Sequence, residues 1–110
     1  MKTKQVQLSN GRVYTVGFDF ATLCEYEEQF GQSLDINDLD TAPKTMRLVW
    51  ASIASFNDDA PSYKDFRHLS AEDYSLLMNT VMECMVDFYK LPVGQQTDAV
   101  QEQDTEDANP

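Results

Sequence analysis

An Asn10-Gly11 pair between two short alternating apolar runs, followed at once by a helix with its own start and stop signals, limits the folds open to this chain. Asn and Gly tolerate the positive φ of tight hairpin turns, so strands are expected at residues 4–8 and 12–18. Loop length then decides which side chains share a face. A two-residue loop would oppose Leu8 to Val13 and leave Tyr14 and Val16 on the face away from Val6 and Leu8. A three-residue loop, Ser9 to Gly11 with Gly11 as a left-handed bulge, opposes Val6 to Tyr14 and gathers Val6, Leu8, Tyr14 and Val16 on one side. The second arrangement gives one apolar face and is the one expected.

Asp19 is suited to cap the helix that follows, with Phe18 placed to staple onto Leu23. The helix is expected over residues 20–30 and ends at Gly31, a residue that accepts the left-handed conformation of a C-cap. Its buried face should carry Phe20, Leu23, Tyr26 and Phe30, with Glu25 and Glu28 toward water. After a polar connection containing Leu34, Ile36 and Leu39, Thr41-Ala42-Pro43 reads as a second helix start, because proline's missing N–H costs nothing in a first turn. The centre of that helix, Leu48 to Ala54, is apolar nearly all round, as in a helix buried on several sides. Asn57 to Pro61 breaks it, and residues 62–68 can form a short helix bringing Tyr63 and Phe66 inward.

Ser70-Ala71-Glu72-Asp73 has the form of a capping box with Asp73 in place of the usual Glu or Gln. Tyr74, Leu77, Met78, Val81, Met82, Met85, Phe88 and Tyr89 then recur at helical spacing up to about Lys90. Beyond Pro92 the sequence is too poor in large apolar groups to offset its ordering entropy. The expected fold is α+β, mainly α: an N-terminal β-hairpin followed by three main helices, one globular domain over residues 1–92, and a disordered acidic C-terminal tail over residues 93–110.

Charge narrows the function. The chain carries 19 acidic and 8 basic side chains, a net charge of -11, which disfavours binding to nucleic acid or to anionic lipid. Asp98, Glu102, Asp104, Glu106 and Asp107 lie in the tail, where Lys and Arg are absent. Cys24 and Cys84 belong to no Cys-x-x-Cys pair and read as reduced, half-buried helix residues. The first residues carry no apolar run of the secretory kind, and no segment approaches the roughly 18–20 apolar residues of a membrane span. A cytoplasmic protein is expected.

Catalytic and metal chemistry find little support. His68 is the sole histidine, and neither a glycine-framed serine nor an activated cysteine accompanies it. Cys24, Cys84 and His68 would have to converge from separate elements to hold a metal, and helix-face cysteines are more often small core residues. Asp35 to Asp40 resembles the start of a calcium loop, but Asp40 stands where Gly is needed and Met46 where a bidentate Glu is needed. It reads as a solvated acidic loop. Glu27-Glu28 and Asp58-Asp59 are sequence neighbours and point apart, so neither pair makes a shared acid–base site. The four glycines read as turn or tail residues. No enzyme activity, cofactor or metal is expected. Met46, Met78, Met82 and Met85 read chiefly as core filler, although methionine-rich surfaces also suit binders of pliable apolar partners.

The order of these elements resembles that of the tail assembly chaperones of long-tailed bacteriophages. The features that carry the likeness are the short hairpin, the helix ending in Glu27-Glu28-Gln29-Phe30-Gly31-Gln32-Ser33, the Trp- and Ala-containing helix through Leu48 to Ala54, the Ser70-capped final helix and the polar tail. It covers residues 6–92. The resemblance implies a cytoplasmic chaperone that binds the tail tube protein and the tape measure protein during virion assembly, with homo-oligomers in some relatives and no catalytic residues. Independently, the sequence holds more large apolar groups than a small core can hide. Trp50, Phe56, Tyr63, Phe66, Met82, Phe88 and Tyr89 are the candidates for a partner-binding surface. The rival class is an acidic regulatory or inhibitor module, a nucleic-acid mimic occupying a basic cleft of a partner protein. Against it, nearly half the net charge lies in the tail, whereas a mimic needs carboxylates fixed on a rigid face.

Overall fold

A computed structural model describes residues 3–90. It is an α+β, mainly α fold in the order β1 (Thr3–Gln7), β2 (Val13–Gly17), α1 (Phe20–Phe30), α2 (Ala42–Ala54), α3 (Tyr63–Phe66) and α4 (Ala71–Tyr89). The expected tail lies outside the described residues.

The three-residue loop sets the hairpin register. Val6 faces Tyr14 and Gln7 faces Val13, Gly11 takes φ 90°, and the Leu8 N–H donates to the Arg12 carbonyl at 2.8 Å. Val6, Leu8, Tyr14 and Val16 are accordingly all buried. A two-stranded sheet is marginal alone. Here α4 packs against both strands and α2 packs against β2.

Polar side chains fix the hairpin at two further points. The Ser9 N–H and Oγ donate to the two carboxylate oxygens of Asp73 at 3.0 and 2.7 Å, tying the turn to the first turn of α4. This modifies the expected capping box. Ser70 Oγ accepts the Asp73 N–H, but the Asp73 carboxylate turns to Ser9 rather than back to the cap. Those hydrogen bonds to the ionised form hold the Asp73 carboxyl below its ordinary range. At the far edge of β2, both backbone polar groups of Thr15 point away from β1. The Asn57 amide meets them, accepting from Thr15 N–H at 3.0 Å and donating to Thr15 O at 2.7 Å.

Asn57 Nδ2 also donates to the Ile53 carbonyl at 2.7 Å and so closes the C-terminal end of α2. Within α2, Leu48 to Ile53 are buried without a break, as the all-round apolar pattern requires. This helix contacts α1, α3, α4 and β2 and forms the centre of the core. A polar relay runs from α1 into it: the Asp19 N–H donates to Thr22 Oγ1, which lies 3.0 Å from Ser55 Oγ, and that hydroxyl donates to the Ala51 carbonyl. Tyr74 of α4 donates to Thr45 of α2 at 2.7 Å.

Three local expectations are corrected. Phe20 is 73% exposed, because the inward face of α1 is set by Thr22 and Tyr26 and the first helical residue stands outside it. Cys24, one turn further along that outer face, is exposed rather than half-buried, whereas Cys84 is fully buried. Gly17 lies in a strand, not a turn. A Cβ there would meet the Phe56 ring at 2.7 Å and Thr3 Cγ2 at 2.9 Å, so glycine lets Phe56 lie directly against the β2 backbone.

Candidate partner-binding surface

The seven candidate residues divide by burial. Trp50 and Phe66 are core residues, 6% and 4% exposed, and so are removed from any surface role in this conformation. The Trp50 indole N–H donates to the Pro61 carbonyl at 2.9 Å, which satisfies its polar edge inside the fold. Phe66 goes inward because Ser62 caps α3 and turns that single helical turn toward α2. Tyr63 is half-buried, edge-on to Phe30 at 4.8 Å and to Trp50 at 6.2 Å. Phe56 is half-buried over Gly17.

Phe88, Tyr89 and Met82 remain near the surface. Phe88 and Tyr89 meet edge to face at 4.9 Å, and both contact the wholly buried Phe18, at 5.4 and 5.5 Å. Burial pushes the Tyr89 phenol above its ordinary range. Met82 is 42% exposed and stands two turns before Tyr89 on the same face of α4. The inward face of α4 is carried by Asp73, Leu77, Thr80, Val81, Cys84 and Met85. It is rotated from the expected stripe toward the small residues Thr80 and Cys84, which leaves Met82 outside.

Sequence reasoning placed Phe20 in the core and so missed the most exposed large apolar group described. Its ring rests edge-on against Phe88 at 5.2 Å and extends the aromatic group across the junction of α1 and α4. One signal in the sequence could have located it. Asp19 and Thr22 form a reciprocal capping box, which fixes the phase of α1 with Thr22 inward and Phe20 outward. Leu76 and Val13, 44% and 52% exposed, were also not anticipated; neither belongs to this aromatic group.

Several of the charged groups on the fold are in surface pairs. Lys4 pairs with Glu83, Arg12 with Asp59, and Lys44 with both Asp38 and Asp40. The two carboxylates hold the Lys44 ammonium above its ordinary pKa, and Glu83 does the same to Lys4. The former calcium-like stretch therefore works as a lysine clamp at the start of α2. Among the described residues no group of three or more His, Cys, Asp and Glu side chains could hold a metal ion, and no helix is long and apolar enough to cross a membrane.

The fold and surface thus define a small hairpin-plus-helices domain bearing an aromatic shelf at the α1–α4 junction. No protein-family model matches the chain, and no curated protein or solved structure matches it.

Proposed function

We propose that this protein is a binding protein without catalytic activity, a tail assembly chaperone of the long-tailed phage kind. It holds the tail tube protein, the tape measure protein or both in an assembly-competent form in the host cytoplasm. The observation that carries the reading is the Phe20–Phe88–Tyr89 shelf, with the exposed Met82 two turns back along α4. Aromatic rings and a pliable thioether make a contact surface suited to a partial, changeable apolar partner. The order of elements in the sequence supplies the partner class.

Co-expression with the tail tube protein, followed by size exclusion with light scattering, tests the reading. A soluble complex is expected where the tube protein alone aggregates or polymerises. Phe20→Ser and Met82→Ser should each keep the fold, costing less than about 1 kcal/mol as exposed positions do, and weaken the complex. A tube protein that behaves identically with and without this chain overturns the proposal. An acidic mimic gains less support, because Asp38, Asp40, Asp59 and Glu83 are already paired with the protein's own cations. Salt separates the two readings: a mimic's complex dissociates as ionic strength rises, while an apolar contact changes little.

A further inference from the structure

The cations of this acidic chain are not distributed like its acids. Lys4, Arg12, Lys44 and Lys90 each have a carboxylate within ion-pair distance. Arg47, Lys64 and Arg67 have none among the described residues, and Arg47 and Arg67 both lie over one aromatic pair. The Arg47 guanidinium lies over Phe30 at 5.3 Å, Phe30 meets Tyr63 at 4.8 Å, and the Arg67 guanidinium lies over Tyr63 at 5.5 Å. Lys64 is on α3, next to Tyr63, and is exposed, and Arg67 is the cap at the C-terminal end of that helix. The Nε of Arg47 is buried with no hydrogen-bond partner. Two guanidiniums flanking a pair of edge-stacked rings, with the exposed Lys64 next to Tyr63 in the chain, make a receptor for carboxylates. The rings hold the guanidinium planes by cation–π contact, which does not use up their N–H donors.

We propose that this cationic–aromatic cluster binds the acidic segment of the same chain, residues 98–107. Charge complementarity is the first argument. That segment contains Asp98, Glu102, Asp104, Glu106 and Asp107 and no Lys or Arg, and Arg47, Lys64 and Arg67 are the cations without an ion pair among the described residues. Reach is the second. Helix α4 has 19 residues and, at about 1.5 Å each, carries the chain ~28 Å from the α3 end to Lys90. The residues between Lys90 and Glu102 span up to about 40 Å when extended, enough to return along α4 to Arg67 and Arg47. An intramolecular ligand of this kind acts at an effective concentration in the mM range. Contacts that are individually weak therefore occupy the cluster and screen it from other acidic ligands. This inference is independent of the chaperone reading, whose apolar shelf lies at the α1–α4 junction.

The test uses the full chain and backbone amide NMR of residues 47 and 63–68. One variant neutralises the segment (Asp98→Asn, Glu102→Gln, Asp104→Asn, Glu106→Gln, Asp107→Asn), and another reverses the cluster (Lys64→Glu, Arg67→Glu). Neutralisation is expected to shift these amides, and high salt should produce the same shifts in the native chain but not in the neutralised one. A synthetic peptide of residues 98–107 should shift the amides of the neutralised chain and require several-fold more peptide in the native chain, where the resident segment competes. It should leave the reversed chain unaffected. Identical spectra for the native and neutralised chains overturn the proposal. Equal peptide affinity for both also overturns it and assigns the cluster to an acidic segment of a separate partner.

Discussion

Asn57 should be among the most costly polar side chains in the fold to replace. Its amide makes three hydrogen bonds: from Thr15 N–H at 3.0 Å, to Thr15 O at 2.7 Å and to Ile53 O at 2.7 Å. It thereby does the work of a third strand at the edge of β2 and of a cap for α2. At about 1 kcal/mol net per bond, reduced where water reaches the half-buried groups, Asn57→Ala should cost about 2–3 kcal/mol. For a domain of this size that is roughly 10–20 °C in Tm. Asn57→Asp tests the geometry more sharply, because it replaces the donor of two short bonds with an oxygen facing two carbonyls. Near neutral pH this variant should be less stable than Asn57→Ala despite its closer shape. The introduced carboxyl would have a folded-state pKa raised above its unfolded value of about 3.9, since its charged form is the disfavoured one. The variant's deficit against wild type is therefore smallest below that pH and grows as pH rises through the folded pKa. Urea unfolding followed by far-UV circular dichroism at both pH values measures it. An Asn57→Ala variant within about 0.5 kcal/mol of wild type, or an Asn57→Asp deficit independent of pH, would refute the reasoning.

The remaining predictions concern other close contacts. Gly17→Ala should destabilise by about 1–3 kcal/mol through overpacking against Phe56, and adding Phe56→Leu should recover part of the loss in a double-mutant cycle. Because the Ser9 bonds depress the Asp73 carboxyl, their stabilisation is present above its unfolded pKa of about 3.9 and is lost as pH falls through the lower folded value. Ser9→Ala should therefore unfold at a higher pH in an acid titration than wild type does. Lys90 takes the left-handed conformation with φ 57°, and Lys90→Gly should stabilise by about 0.5–1 kcal/mol, the relief of αL strain less the added chain entropy. A thiol reagent should titrate Cys24 in the native protein and Cys84 only after unfolding, as mass spectrometry of the labelled chain would show.

What could be read from the sequence follows a physical division. The hairpin register and the three long helices were legible because each rests on local information: the φ requirement of Gly11, the caps at Asp19, Thr41 and Ser70, and the apolar spacing. The roles of Asn57 and Asp73 were not. In sequence, Asn57 is only a helix breaker and Asp73 an imperfect capping residue. Each finds its partner in the hairpin, 42 and 64 positions away, a distance over which residue spacing carries no signal. The surface was legible in part for the same reason. Met82, Phe88 and Tyr89 lie on the rim of a stripe that periodicity can draw, whereas Trp50 and Phe66 are core residues because α3 folds back onto α2.

Phe18, Asp19 and Phe20 show how neighbouring side chains of a small domain divide between core and surface. Phe18 is wholly buried and holds the exit of β2 against Phe88 and Tyr89, and Asp19 stops the strand and starts the helix. The next side chain is then thrown outward, edge-on to Phe88 at 5.2 Å. The shelf thus has a rigid buried backing and an exposed front made by residues two apart. Losing the backing removes packing from the core, at the roughly 3–5 kcal/mol typical of truncating a buried Phe. Losing the front removes a contact on an open surface and leaves the hairpin, its two polar anchors and α2 as they were. The stability of the fold therefore does not depend on Phe20, and Phe20→Ser separates a role on the surface from one in packing.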